Sequence, residues 1–114
     1  MKTDETTRLL AIAKALADPI RLRMLEMLAE GRGCCALPDP KSRNVPGKGD
    51  PQGICVCEFQ EQVGLGQSKT SYHLRVLKDA GLVTEETRGK WSFYSLDRAA
   101  AGLALDGVRR LLKV

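Results

Sequence analysis

At 114 residues the chain has the length of one ordinary domain, which argues against a two-lobed enzyme with a cleft between domains. Hydrophobic residues make up 43% and charged residues 28%, globular values that exclude wholesale disorder; a chain of this size buries roughly 65% of its unfolded surface without obligatory staples. The net charge of +4 tilts it mildly toward anionic partners. No apolar run approaches the ~18 residues of a membrane span and the N-terminus has no signal-peptide pattern, so a soluble, cytoplasmic protein with no membrane partner is expected.

In chain order, Asp4 is placed to cap a first helix in which Leu9, Ile12, Ala13, Leu16 and Ala17 recur at helical spacing. Asp18-Pro19 restarts the chain, Asp as N-cap and Pro at the first helical position. Ile20, Met24, Met27 and Leu28 then line one face of a second helix that ends at Gly31. The methionines read as core filling. Between Gly31 and Gly53 fall four of the five prolines and five glycines, a composition that continues neither helix nor strand. Residues 32–53 therefore read as a long loop inserted into a single domain, 1–114, and loops of that length in compact domains are usually functional or disordered.

Beyond it, Glu58–Val63 reads as a short helix, Gly64-Leu65-Gly66 as a break, and Gln67 to Ala80 as a second helix burying Leu74, Leu77 and Val76 and stopping at Gly81. A short helix, a glycine turn and a second helix form a helix-turn-helix pattern. Leu82–Thr87 and Trp91–Leu96 are β-rich runs joined by Arg88-Gly89-Lys90, a hairpin with a basic tip. Asp97 caps a last helix with Leu103, Val108, Leu111 and Leu112 apolar, in which Gly102 and Gly107 each cost roughly 1 kcal/mol relative to Ala. The fold class is mainly α with a β-hairpin, α+β.

Two constellations carry chemistry. The first is Gln67-Ser68-Lys69-Thr70-Ser71-Tyr72-His73-Leu74-Arg75, whose early half is almost entirely hydrogen-bonding side chains. Gln can pair bidentately with adenine and Arg with guanine; Ser and Thr suit base edges or phosphate, and a helix start favours a phosphate. Taken alone this is also what a solvated helix face looks like. The hairpin that follows, with Arg88 and Lys90 able to reach backbone phosphate, favours double-stranded DNA. Gln67, Ser68, Lys69, Thr70, Ser71, His73, Arg75, Arg88 and Lys90 are the candidate contacts, and the single histidine reads as a phosphate or base contact rather than a metal ligand.

The second is the cysteine set: adjacent Cys34 and Cys35 at the start of the loop, Cys55 and Cys57 just past its end. In a reducing compartment four cysteines point to soft-metal binding or redox chemistry rather than disulfides. Small buried hydrophobes, a redox switch and a structural zinc site are the alternatives, and neither C-C nor C-x-C matches the usual zinc spacing of C-x2-4-C. Three thiolates on a trivalent metalloid make a neutral complex, whereas four on a divalent ion leave a double negative charge that Lys41, Arg43 and Lys48 would have to offset. The balance favours a trivalent guest over Cd(II), Pb(II) or Zn(II). Residues two apart in a regular helix point to nearly opposite sides, so Cys55 and Cys57 are expected to share an ion only if their segment unwinds or runs extended, which would reposition the reading helix.

Ala15-Leu16-Ala17-Asp18-Pro19-Ile20-Arg21-Leu22-Arg23, the Gln67–Leu74 helix with Leu77-Lys78-Asp79-Ala80-Gly81-Leu82-Val83, and the Arg88-Gly89-Lys90 wing with Tyr94 together resemble the ArsR/SmtB family of metal-sensing repressors. The resemblance covers nearly the whole chain outside the 32–53 loop. It implies a winged helix-turn-helix homodimer, not an enzyme, with its first and last helices in the dimer contact. Such a protein needs no cofactor to bind a palindromic operator and acts on no protein substrate; a toxic metal or metalloid releases it. On that pattern Gln67, Ser68, Ser71 and His73 fall on the recognition helix and Arg88 and Lys90 on the wing. Ile54-Cys55-Val56-Cys57-Glu58 resembles the C-V-C motif of arsenite- and cadmium/lead-responsive members. Arsenite sensors of that pattern carry a third cysteine where this chain has Gln60, and cadmium sensors draw theirs from an N-terminal extension. Here Cys34 and Cys35 are the remaining donors. The final helix has Asp106 but no histidine, so the family's second zinc site is not expected. The expected inducer is As(III), with Sb(III) or an organoarsenical next and Cd(II), Pb(II) or Zn(II) on all four cysteines as the alternative. A small thiol reductase would leave the reading helix without a purpose.

Overall fold

The corner at Asp18-Pro19 forms as the sequence predicts: Asp18 Oδ1 accepts hydrogen bonds from the N–H groups of Ile20 at 2.8 Å and Arg21 at 3.2 Å. It separates helix α1 (Thr3–Leu16) from helix α2 (Pro19–Glu30). The computed structural model describes residues 3–30, 53–89 and 91–114. Cys34, Cys35, Lys41, Arg43, Lys48 and Lys90 lie outside the described residues, as do the rest of the expected loop up to residue 52 and the side chain of Arg88.

Met24, Met27 and Leu28 of α2 are buried, as expected from their spacing, and Ile20 is half-buried. In α1 the expectation is only partly met. Ile12 and Ala15 are the buried positions; Leu16, with Ala13 and Ala17, faces outward, and Asp4 lies inside the helix rather than capping it. A carboxylate in the first turn still opposes the helix dipole favourably.

Next comes an element that periodicity does not reveal. Ile54–Cys55 is a two-residue strand, β1, and helix α3 (Val56–Val63) starts directly from it, two residues earlier than Glu58. Gly64-Leu65-Gly66 turns the chain into α4 (Gln67–Asp79). Leu74 and Leu77 are buried, and the helix is closed by hydrogen bonds from Gly81 N–H to Lys78 O and from Leu82 N–H to Leu77 O.

Strands β2 (Val83–Arg88) and β3 (Trp91–Leu96) form the expected hairpin, antiparallel from Val83 opposite Leu96 to Arg88 opposite Trp91. β1 adds to the other side of β3, giving the order β1-β3-β2 with Ile54 opposite Tyr94 and Cys55 opposite Phe93. Gly53 is required where the chain joins this edge, because a Cβ there would lie 2.9 Å from Phe93 Cβ.

Asp97 caps α5 (Arg98–Leu112) by accepting from Ala100 N–H at 3.0 Å. Gly107 is buried against Leu9, and a Cβ would stand 3.0 Å from Leu9 Cδ2. The residue that weakens the isolated helix thus lets α1 and α5 approach closely, and an Arg110–Glu5 ion pair joins the same two helices. The main core is built from Ile12, Ala15, Met24, Met27, Leu28, Ile54, Phe59, Leu74, Leu77, Leu82, Val83 and Tyr94. Among the described residues no helix is long and apolar enough to cross a membrane.

Candidate functional site

Helix α4 turns its two sides to different surroundings. Gln67, Ser68, Lys69, Tyr72 and Arg75 are exposed, Ser71 and His73 are half-buried, and Thr70, Leu74 and Leu77 are fully buried. The expectation for Thr70 is therefore corrected. Its place in the 3.6-residue period puts it on the stripe with Leu74 and Leu77, and its Oγ1 is buried with no hydrogen-bond partner. His73 is also engaged within the protein, with Nδ1 3.0 Å from Arg21 Nη1. Sequence reasoning passed over Tyr72, which is 60% exposed and meets His73 edge-on with ring centroids 5.3 Å apart. Its spacing, four after Ser68 and three after Lys69, was the available signal.

The two described cysteines sit where a strand becomes a helix. Cys55 has extended dihedrals, φ −84° and ψ 161°, as the residue before α3, while Cys57 is already helical. The segment is thus not a regular helix: with Cys55 held extended, one of the two arrangements the spacing calls for, the two thiols come into hydrogen-bonding contact. Cys55 is buried and Cys57 half-buried, both free; Cys55 forms a small buried cluster with Phe93, against which Cys57 and Trp91 pack. Burial first, then the hydrogen bond that its S–H donates to Cys57, pushes the Cys55 thiol up from 9.0 to about 12, so it is protonated at neutral pH. No group of three or more His, Cys, Asp or Glu placed to hold a metal occurs among the described residues. Cys34 and Cys35, the expected further donors, are not among them.

Both thiols open onto a cleft of about 560 Å³ that is also lined by Gln67, Ser71, Arg75 and Lys78 of α4 and by Trp91, Ser92 and Tyr94 of β3. Gln60, three residues after Cys57 on α3, lines it too. At its far wall Glu85 of β2 joins the helix to the wing, accepting from Lys78 Nζ at 2.8 Å and from the Tyr94 hydroxyl at 3.0 Å. The Lys78 bond, then those from Tyr94 and Ser92, outweighs burial and holds the Glu85 carboxyl below its usual range. Burial and the Glu85 carboxylate push Tyr94 up to about 12. Thiol pair, reading helix and wing thus meet around one cavity.

Residues 52–85, the span of these features up to the first wing strand, match the family model described as bacterial regulatory protein, arsR family. An HTH-type transcriptional regulator of Bacillus subtilis is 31% identical over 98 residues, covering 83% of this chain and 89% of that protein. The chain belongs to the ArsR family. The arsenical resistance operon repressor of Bacillus subtilis is 54% identical over 85 residues, 74% of this chain; the match spans 61% of that repressor's length. Among solved structures, the homodimeric winged helix-turn-helix DNA-binding domain Mb0332 of Mycobacterium bovis superposes with a TM-score of 0.57 at 22% identity, covering 97% of this chain and 85% of that one. The fold of this ArsR-family chain is accordingly the winged helix-turn-helix, with α3 and α4 as the helix pair and β2–β3 as the wing.

Proposed function

We propose that this protein is a dimeric repressor that binds operator DNA through α4 and the wing and is released when trivalent arsenic binds Cys55 and Cys57, with Cys34 or Cys35 completing the set. One observation carries the reading: the paired thiols and the outward polar residues of α4 line the same cleft. A thiophilic guest held there lies against Gln67, Ser71 and Arg75, so guest and DNA compete for one arrangement of the helix. The 54% identity to an arsenical resistance operon repressor supports the choice of guest.

Support for a dimer comes from the outer helices. Leu103, Leu105, Leu111 and Leu112 of α5 are each more than half exposed, as is Leu10 of α1. Large apolar side chains exposed in that number on two neighbouring helices favour a covering partner, and the Mycobacterium bovis domain of the same fold is homodimeric. A thiol reductase is disfavoured by the Cys55 thiol, whose raised pKa is the opposite of what a reactive cysteine needs.

The test begins with a duplex selected from a random-sequence library by the full-length protein. The complex is then titrated with arsenite, antimonite, Cd(II), Pb(II) and Zn(II). Release by arsenite and antimonite at concentrations where the divalent ions have no effect is the expected result. Release by Cd(II) or Zn(II) alone would replace the guest, and failure to select any duplex would overturn the DNA reading.

A further inference from the structure

The motif Asp18-Pro19-Ile20-Arg21 is far in sequence from the reading helix, yet its arginine reaches it. The Arg21 guanidinium donates from Nε to Ala15 O at 2.7 Å and from Nη2 to Lys14 O at 3.2 Å, both carbonyls in the last turn of α1. Its remaining arm, Nη1, lies 3.0 Å from His73 Nδ1 on α4. Arginine has only donors, so Nδ1 is the acceptor and the imidazole proton sits on Nε2. One planar group therefore closes the end of α1 and holds a side chain of α4 in a single orientation.

The apolar contacts of α4 do not do this. Leu74 and Leu77 set how deeply the helix packs, but apolar contact is non-directional and resists rotation about the helix axis only weakly. A hydrogen bond between rigid planar groups on the flank of the helix does resist it. The residues whose direction depends on that rotation are Ser68, Lys69, Tyr72 and Arg75 on the exposed side.

We infer that Arg21 is a positioning residue for DNA binding: through His73 it fixes the rotation of α4 against the α1–α2 corner, and it sets operator affinity without contacting DNA. The inference rests on the reading of α4 as the DNA-contacting helix. Lysine cannot replace it, since one ammonium cannot meet three acceptors on two helices in a plane.

The test is a double-mutant cycle on the full-length protein with the selected duplex, measured at several salt concentrations, using Arg21→Ala, Arg21→Lys, His73→Leu, His73→Gln and Arg21→Ala/His73→Leu. Arg21→Ala, Arg21→Lys and His73→Leu should each weaken binding by about tenfold, and the double variant by no more than the single ones, as coupled partners do. His73→Gln, which keeps an acceptor, should restore much of the loss. The slope of log K against log salt should match the wild type, because no phosphate contact is removed. In the free protein, nitrogen NMR of His73 should show an unprotonated Nδ1 that becomes a tautomer mixture in Arg21→Lys. A slope reduced by about one ion would make Arg21 a phosphate contact. Additive losses, unchanged affinity or a His73 tautomer indifferent to Arg21 would each overturn the inference. Should Arg21→Ala not fold, the Arg21→Lys and His73 variants decide it. A wild-type chain that selects no duplex while the NMR result holds would sink the DNA reading and leave the clip as a purely structural bond, overturning its role in affinity.

Discussion

Cys55 stands opposite Phe93 in the β1–β3 pair, while Cys57 belongs to the helix that starts immediately after it. The thiol pair is thereby tied by backbone to the strand that carries the wing and by helix α3 to the reading helix. Replacing Cys55 or Cys57 by Ser should leave operator affinity close to wild type while arsenite no longer releases the DNA, read by fluorescence anisotropy on the selected duplex. Continued release in both variants would place the inducer site elsewhere.

The protonated state of Cys55 separates the two kinds of guest. When arsenite forms an arsenic–sulfur bond, the thiol proton leaves with a hydroxide of arsenous acid as water, and no net proton is released. A divalent cation displaces the proton itself. Arsenite affinity should therefore be flat from about pH 6 to 8, whereas Cd(II) affinity should rise about tenfold per pH unit for each proton displaced. Isothermal titration in buffers of different ionisation enthalpy counts those protons; a pH-dependent arsenite affinity would contradict the thiol assignment.

Gln60 lines the cleft beside Cys57, one helical turn along α3. Gln60→Cys should complete a three-thiol site at the β1–α3 step and strengthen arsenite binding by about tenfold or more, on the order of 1.4 kcal/mol. In that background Cys34→Ser and Cys35→Ser should no longer affect induction. If they still abolish it, the guest is held from another direction.

Thr70 presents a buried hydroxyl with no partner on the core side of α4. Thr70→Val keeps the shape and removes the unsatisfied group, so it should raise unfolding free energy by about 1 kcal/mol in urea titrations with operator affinity unchanged. By contrast Gln67→Ala, on the exposed side, should relax sequence preference by about 1–3 kcal/mol at one base pair, and Lys69→Ala should lower the salt slope by about one ion. A loss of DNA affinity in Thr70→Val would restore Thr70 as a contact.

Cys55 and Tyr94 are both held above their ordinary values, at about 12 against 9.0 and 10.0. A group whose pKa is raised by folding stabilises the native state fully below its unfolded pKa, and loses that contribution as pH rises toward the folded value. The contribution of these two groups should thus be level below about pH 9 and be lost between about pH 9 and 12. Tyr94→Phe and Cys55→Ala should each flatten part of that decline, measured as urea midpoints against pH.

Local chemistry was legible in the sequence. The Asp18-Pro19 corner, the buried Met24 and Met27, the glycine turn before Gln67, the hairpin and the Asp97 cap follow from caps, turn residues and periodicity that act within a few positions. So was the family, through motifs that stay contiguous along the chain. Strand β1 was not legible, since two residues carry no period and Ile54-Cys55 is a strand only because β3 offers an edge to it. The inward side of Thr70, the exposure of Tyr72 and the common cleft of thiols and reading helix depend on how α4 is rotated against α3 and the sheet.

Composition and spacing by themselves determined one helix-turn-helix, one wing and a set of cysteines suited to a soft guest. What only the tertiary structure decided is that Cys55 and Cys57 face one another across a strand-to-helix step, and that Arg21 reaches His73 from fifty-two positions away. The physical reason is common to both. Hydrogen-bond direction and side-chain aim are fixed by the packing of elements distant in sequence, and no local propensity encodes them.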